Sequence, residues 1–87
     1  AVVGTGYWGR NHVRTLAALK SSGMISDLIV CDVDAERAEG MASEFDCQWC
    51  TDANELKSLG VAAATIATPT PQHAPLAILL MEQGIDV

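Results

Sequence analysis

The chain has 87 residues, a net charge of −6 and 49% apolar residues, of which few are aromatic. That length makes one small domain, which buries only about 60 to 65% of its unfolded surface and is marginally stable alone. Nine of the eleven acids lie between Asp27 and Glu55; an acidic domain without a basic stripe is a poor nucleic-acid binder, and no apolar run reaches the roughly 18 residues of a membrane span.

In chain order, a short β-branched run, Val2-Val3, leads into Gly4-Thr5-Gly6-Tyr7-Trp8-Gly9 and then into an amphipathic helical pattern from about Trp8 to Lys20 (Val13, Leu16, Ala17, Lys20), stopped by Gly23. This is G-x-G-x-x-G in the strand-turn-helix setting of a dinucleotide fingerprint. Gly4 permits the tight turn, Gly6 admits a pyrophosphate close to the backbone, and Gly9 lets the helix pack on the strand. The phosphates would sit on the free amides and positive dipole end of that helix. Tyr7 and Trp8 either cover the phosphates or nicotinamide side, or pack under the loop. His12 reads as a packed helix histidine. Arg10, Arg14 and Lys20 either stand near phosphates or are solvated.

The second strand, Leu28 to Cys31, ends in Asp32, about 23 residues beyond Gly9, where a carboxylate can accept hydrogen bonds from ribose hydroxyls. Asp34 then N-caps a helix from Ala35 to about Phe45, with Ala38, Met41, Ala42 and Phe45 as its apolar stripe. Gly40 inside it has no evident reason. A third short strand spans Gln48 to Thr51, and Asp52 to Glu55 resembles a capping box for a short helix burying Leu56 and Leu59. Cys47-Gln48-Trp49-Cys50 opens no helix and has no second pair of ligands. It is therefore neither a redox motif nor a zinc site, and the three cysteines read as free thiols in a reducing compartment, the cytoplasm.

Val61 to Ala67 is a continuous apolar run, the pattern of a buried parallel strand. It delivers Thr68-Pro69-Thr70-Pro71 to the same sheet edge as the glycine turn and Asp32, the edge where open α/β sheets bind ligands. The last helix begins between Thr70 and Pro75 and ends near Gln83, before Gly84. Leu76 to Met81 are apolar on every side, which predicts cover from further chain or from a partner subunit. A strand begins at the end, Ile85 to Val87. The fold class is α/β, a Rossmann-type doubly wound parallel sheet. The chain starts without Met, close to a glycine turn, and reads as a piece truncated at both ends of a longer protein.

GTGYWGRNHVRTL, CDVDAERAEGMASEF, TIATPTPQHA and MEQGIDV together resemble the N-terminal cofactor domain of the Gfo/Idh/MocA oxidoreductases, the glucose-fructose oxidoreductase and inositol dehydrogenase family. The resemblance spans essentially the whole chain. It implies a nicotinamide-dependent enzyme acting on a hydroxyl carbon of a sugar, sugar nucleotide or cyclitol, usually as a homo-oligomer. It also implies a phosphate loop of Gly4, Gly6, Tyr7, Trp8 and Gly9, a ribose carboxylate at Asp32, a cleft lined by Thr68 and Pro69, and His73 at the cofactor edge. The family's Glu-Lys-Pro motif and substrate domain would follow Val87, so no catalytic residue is expected in these residues, and no metal. Asp32 and Asp34 favour NAD over NADP by repelling a 2′-phosphate. Arg37 either reaches such a phosphate or, more plainly, pairs with Asp34 at i, i+3. Two other readings use the same fold: a non-catalytic dinucleotide-sensing module, and an S-adenosylmethionine-dependent methyltransferase. Val3 before Gly4 and the third glycine at Gly9 count against the latter.

Overall fold

The computed structural model describes all 87 residues. In chain order the elements are β1 (Val2–Val3), α1 (Tyr7–Ser21), β2 (Ile29–Cys31), α2 (Ala35–Phe45), β3 (Gln48–Cys50), a 3-10 turn (Ala53–Glu55), β4 (Thr65–Ile66), a second 3-10 turn (Thr70–Gln72) and α3 (His73–Glu82). The strands form one parallel sheet in the order β3-β2-β1-β4, and a parallel bridge from Ala63 to Asp86 starts a fifth position beside β4.

Alternation along these short strands divides the core between two faces. Val2 and Val30 point to α1 and α2, where they meet Val13, Leu28, Met41 and Ala42. Val3, Ile29 and Cys31 point the other way, to Cys50, Leu56, Ala64, Leu80 and Ile85. Helices on one face and α3 with the 3-10 turn on the other make the sheet doubly wound, as expected. Cys47 packs with the first group and Cys50 belongs to the second, so the two thiols lie on opposite faces and all three cysteines are free. Burial pushes the Cys31 thiol up to about 12, helped by its hydrogen bond with Cys50, and burial likewise raises Cys47 and Cys50.

The first two helices keep their expected bounds and caps. Gly23, at φ 82°, follows α1, and the Gly23 and Met24 amides return to Lys20 and Leu19 in a Schellman pattern. Asp34 caps α2 by accepting from the Arg37 amide at 3.2 Å. Lys20 donates to the Asp46 carbonyl at 3.2 Å, tying α1 to the end of α2.

The second half departs from expectation in three places. Leu56 is fully buried but Leu59 is exposed, because the segment makes only a 3-10 turn before Gly60 reverses it at φ 84°. The run from Val61 to Ala67 is not a continuous buried strand. Ala62 and Ala63 are exposed and only Thr65–Ile66 pair fully with β1, since residues as small as Ala bury little unless a helix covers them. Helix α3 buries only Leu80 completely, while Ile78 and Met81 stay more than half exposed within these residues. Pro75 causes no break because it stands at the third residue of α3, where no intrahelical donor is needed.

Candidate functional site

The carboxyl ends of β1, β2 and β4 open into one cleft of about 1030 Å³, lined by the glycine turn, Asp32, Arg37, the loop after β3 and Thr68 to Leu76. Its floor is built by two close approaches. Gly4, at φ 99°, lies against the backbone of Ala67 and Thr68, where a Cβ would come within 2.8 Å of both. A Cβ on Gly9 would overlap the Gly4 carbonyl oxygen and lie 2.7 Å from its carbon, so α1 seats on β1 only with glycine there. At Gly6 a Cβ would meet only the Arg37 guanidinium at 3.5 Å, leaving the space above the turn open. Gly6 gives α1 no side-chain cap, and the amides of Gly6, Tyr7, Trp8 and Gly9 have no acceptor. Four uncommitted amides at a helix start, beneath an open space, are a cradle for a phosphate.

Asp32 is held from three directions. Its Oδ2 accepts from the Thr5 hydroxyl at 2.6 Å and the Thr5 amide at 3.0 Å, and its Oδ1 accepts from the Asp34 amide at 2.9 Å. Partial burial by itself raises the Asp32 pKa. The Thr5 hydroxyl, the two amides and the Arg37 charge outweigh burial and hold the carboxyl below its usual range. Thr5 was not singled out from the sequence, although its place between two glycines of the fingerprint, facing the end of the next strand, was the available signal.

Thr68 and Pro69 line the cleft, and the buried Thr68 hydroxyl has no partner. His73 opens α3, is exposed, and donates from Nε2 to the Thr68 carbonyl at 2.6 Å. A carbonyl only accepts, so Nε2 is the donor of this pair.

Tyr7 and Trp8 are 77% and 68% exposed and meet edge-to-face at 5.3 Å, so they do not pack under the loop. His12 is exposed and lines the cleft rather than packing in the core, because the buried stripe of α1 runs through Gly9 and Val13. Arg10 stands away from the turn. It forms a forked pair with Glu44 of α2, at 2.5 and 2.6 Å, and lies 5.5 Å above the Phe45 ring. Arg14 bonds Asn11 within α1. Arg37 does not pair with Asp34, whose carboxylate is taken by the Arg37 backbone amide, and its side chain crosses to Gly6 instead. No group of three or more His, Cys, Asp or Glu side chains could hold a metal ion.

A parallel, doubly wound sheet with an amide cradle at its first turn and a carboxylate at the end of its second strand defines a dinucleotide-binding domain. Residues 1–87 match the family described as "Oxidoreductase family, NAD-binding Rossmann fold", and the chain belongs to that family, Gfo/Idh/MocA. It is 36% identical over 85 residues to UDP-N-acetylglucosamine 3-dehydrogenase of Acidithiobacillus ferrooxidans, covering 97% of this chain and 25% of that protein. It is 33% identical over 88 residues to 2,7-anhydro-N-acetylneuraminate hydratase of Mediterraneibacter gnavus, covering 100% of this chain and 22% of the relative. Among solved structures, the same Acidithiobacillus dehydrogenase superposes with a TM-score of 0.83 at 33% identity, covering 97% of this chain and 26% of the other. GenD2 from gentamicin A biosynthesis, solved in complex with NAD, superposes with a TM-score of 0.82 at 27% identity, covering 97% and 24%. The chain thus spans about a quarter of the length of these relatives.

Proposed function

We propose that this chain is the NAD-holding part of an oxidoreductase that acts on a CH–OH group of a sugar, sugar nucleotide or cyclitol. The observation that carries the reading is the cleft itself, with free amides at Gly6 to Gly9 and a firmly ionised Asp32 on the neighbouring strand. In this reading the turn of Gly4, Gly6, Tyr7, Trp8 and Gly9 receives the pyrophosphate. The remaining acceptor site of Asp32 takes a ribose hydroxyl. Thr68 and Pro69 line the nicotinamide side, and His73 holds the Thr68 carbonyl in place for it. Bound nicotinamide supplies the hydride chemistry. The residues here bind and orient it; the acid-base group that moves the substrate proton belongs to a substrate domain beyond these residues.

The substrate class rests on the relatives, which include a UDP-N-acetylglucosamine dehydrogenase and inositol 2-dehydrogenases of Saccharopolyspora erythraea. A homo-oligomer of the whole protein would cover the apolar outer face of α3, and three free thiols suit the cytoplasm. Titration of the full-length protein with NADH, read by nicotinamide fluorescence beside Asp32→Ala, tests the reading. Binding weakened about tenfold or more by the substitution is expected, from loss of a charge-assisted hydrogen bond. Binding of NADH indifferent to Asp32 would refute the ribose role, and no binding would refute the cofactor assignment.

A further inference from the structure

Tyr7 and Trp8 hold two large rings in water at the mouth of the cleft, an apolar patch of the kind that marks a ligand contact. The turns of α1 decide which side of the cleft the indole serves. Gly9 and Val13 face the sheet, so residues one place later and one place earlier flank that stripe on opposite sides. Arg10, one place later, reaches α2 at Glu44. Trp8 therefore lies on the side away from α2, toward β4. The start of α1 abuts that strand: a Cβ on Gly9 would lie 3.6 Å from the Cβ of Ala67, the residue before Thr68. Side chains of a first turn lean toward the helix start, which carries the indole over the Thr68 and Pro69 side. Tyr7 points to solvent and meets Trp8 edge-to-face, which steadies the indole and leaves at least one of its faces open.

Charge decides what an open indole face is for. The carboxylates that line the cleft, Asp32 and Asp52, follow β2 and β3, while β4 lies on the other side of β1. On that side the lining residues of this chain include no acid. An oxidised nicotinamide ring is a flat cation, and a reduced one is neutral. With no carboxylate beside it, the face of an indole, the best aromatic receptor for a cation, is the electronegative surface these residues offer there.

We propose that Trp8 stacks on the nicotinamide ring and discriminates the redox state of the cofactor, holding NAD⁺ by a cation–π contact that NADH lacks. This rests on the dinucleotide reading of the cleft, with Thr68 and Pro69 on the nicotinamide side. Hydride transfer from the substrate carbon cancels the charge of the ring, so Trp8 favours release of the reduced cofactor. The test uses the full-length protein and its Trp8→Leu and Trp8→Phe variants. NAD⁺, NADH and ADP-ribose, which lacks the nicotinamide, are titrated by calorimetry. Trp8 is 68% exposed, so the variants keep the fold; unfolding midpoints check this.

Trp8→Leu should weaken NAD⁺ relative to NADH by about threefold to thirtyfold, the span of a cation–π contact from exposed to desolvated. ADP-ribose should change by less than about twofold. Trp8→Phe should keep part of the difference, since any aromatic face attracts the cation but indole does so best. The wild type with NAD⁺ should show a broad charge-transfer absorption that is lost in Trp8→Leu. An NAD⁺ to NADH ratio unmoved by Trp8→Leu, or ADP-ribose weakened as much as NAD⁺, overturns the proposal and leaves the dinucleotide reading intact. A wild type that binds neither nucleotide overturns both.

Discussion

On the face carrying α1 and α2, the helices are held to the sheet by a continuous stripe from Val13 to Met41 and to each other by Arg10–Glu44 and Lys20–Asp46. On the opposite face α3 contributes one fully buried side chain, Leu80, and leaves Ile78 and Met81 in water, while Ala62 and Ala63 lie uncovered at the start of β4. The closed half carries the glycine turn, Thr5 and Asp32; the open half carries Thr68, Pro69 and His73. The contrast teaches that the side of the cleft with the glycine turn and Asp32 is preorganised by its own half-domain, whereas the side with Thr68 and His73 stands on a helix with a single fully buried side chain.

The largest effect should come from closing the tightest contact of the preorganised half. Gly9→Ala places a methyl on the Gly4 carbonyl and forces α1 off β1, at a cost of about 3 kcal/mol or more. Gly40→Ala, in the middle of α2 with nothing within 4 Å, should instead stabilise by roughly 0.5–1 kcal/mol. Denaturant unfolding of the two variants checks both signs, and NADH titration should show binding lost only in the first. A well-folded, NADH-binding Gly9→Ala protein would break the account of the turn.

In the open half, Leu80→Ala removes the one helix residue anchored in the core and should cost about 2–5 kcal/mol. Ile78→Ala measures what covers α3: nearly neutral if that face is open in the full-length protein, and as costly as a core substitution if it is covered. The expected outcome is cover.

The smallest effect sharpens the electrostatics. The Asp32 pKa is depressed in the folded protein, so the stability it contributes is present above the ordinary carboxylate range and is lost as pH falls through the depressed folded value. Thr5→Val removes the strongest of the lowering contacts. The loss should then begin at higher pH, and NADH binding should fall about threefold to tenfold, consistent with one hydrogen bond to a charged group. A stability-against-pH profile superimposing on the wild type would show that Thr5 does not hold the carboxylate.

Much of the closed half was legible in the residues. Gly4, Gly6 and Gly9 are spaced by a steric requirement, Asp34 caps its own helix, and Ala38, Met41 and Ala42 repeat at the helical period; each is a local cause with a local effect. The open half was misread where local pattern and tertiary surroundings part company. Leu59 has the right spacing to be buried but follows a 3-10 turn and Gly60, and Val61 to Ala67 has the composition of a buried strand without the helices that bury one.

By itself the sequence determined the order of strands and helices, the fold class and the glycine turn with its carboxylate, because these depend on backbone freedom and periodicity within a few residues. Tertiary structure alone decided which charges serve the cleft. Arg10 crosses to Glu44, Arg37 leaves Asp34 for the glycine turn, and Thr5 reaches Asp32 from 27 residues away. A long side chain or a strand-end hydroxyl chooses its partner from whatever the packed sheet brings within about 3 Å, and no spacing along the chain encodes that choice.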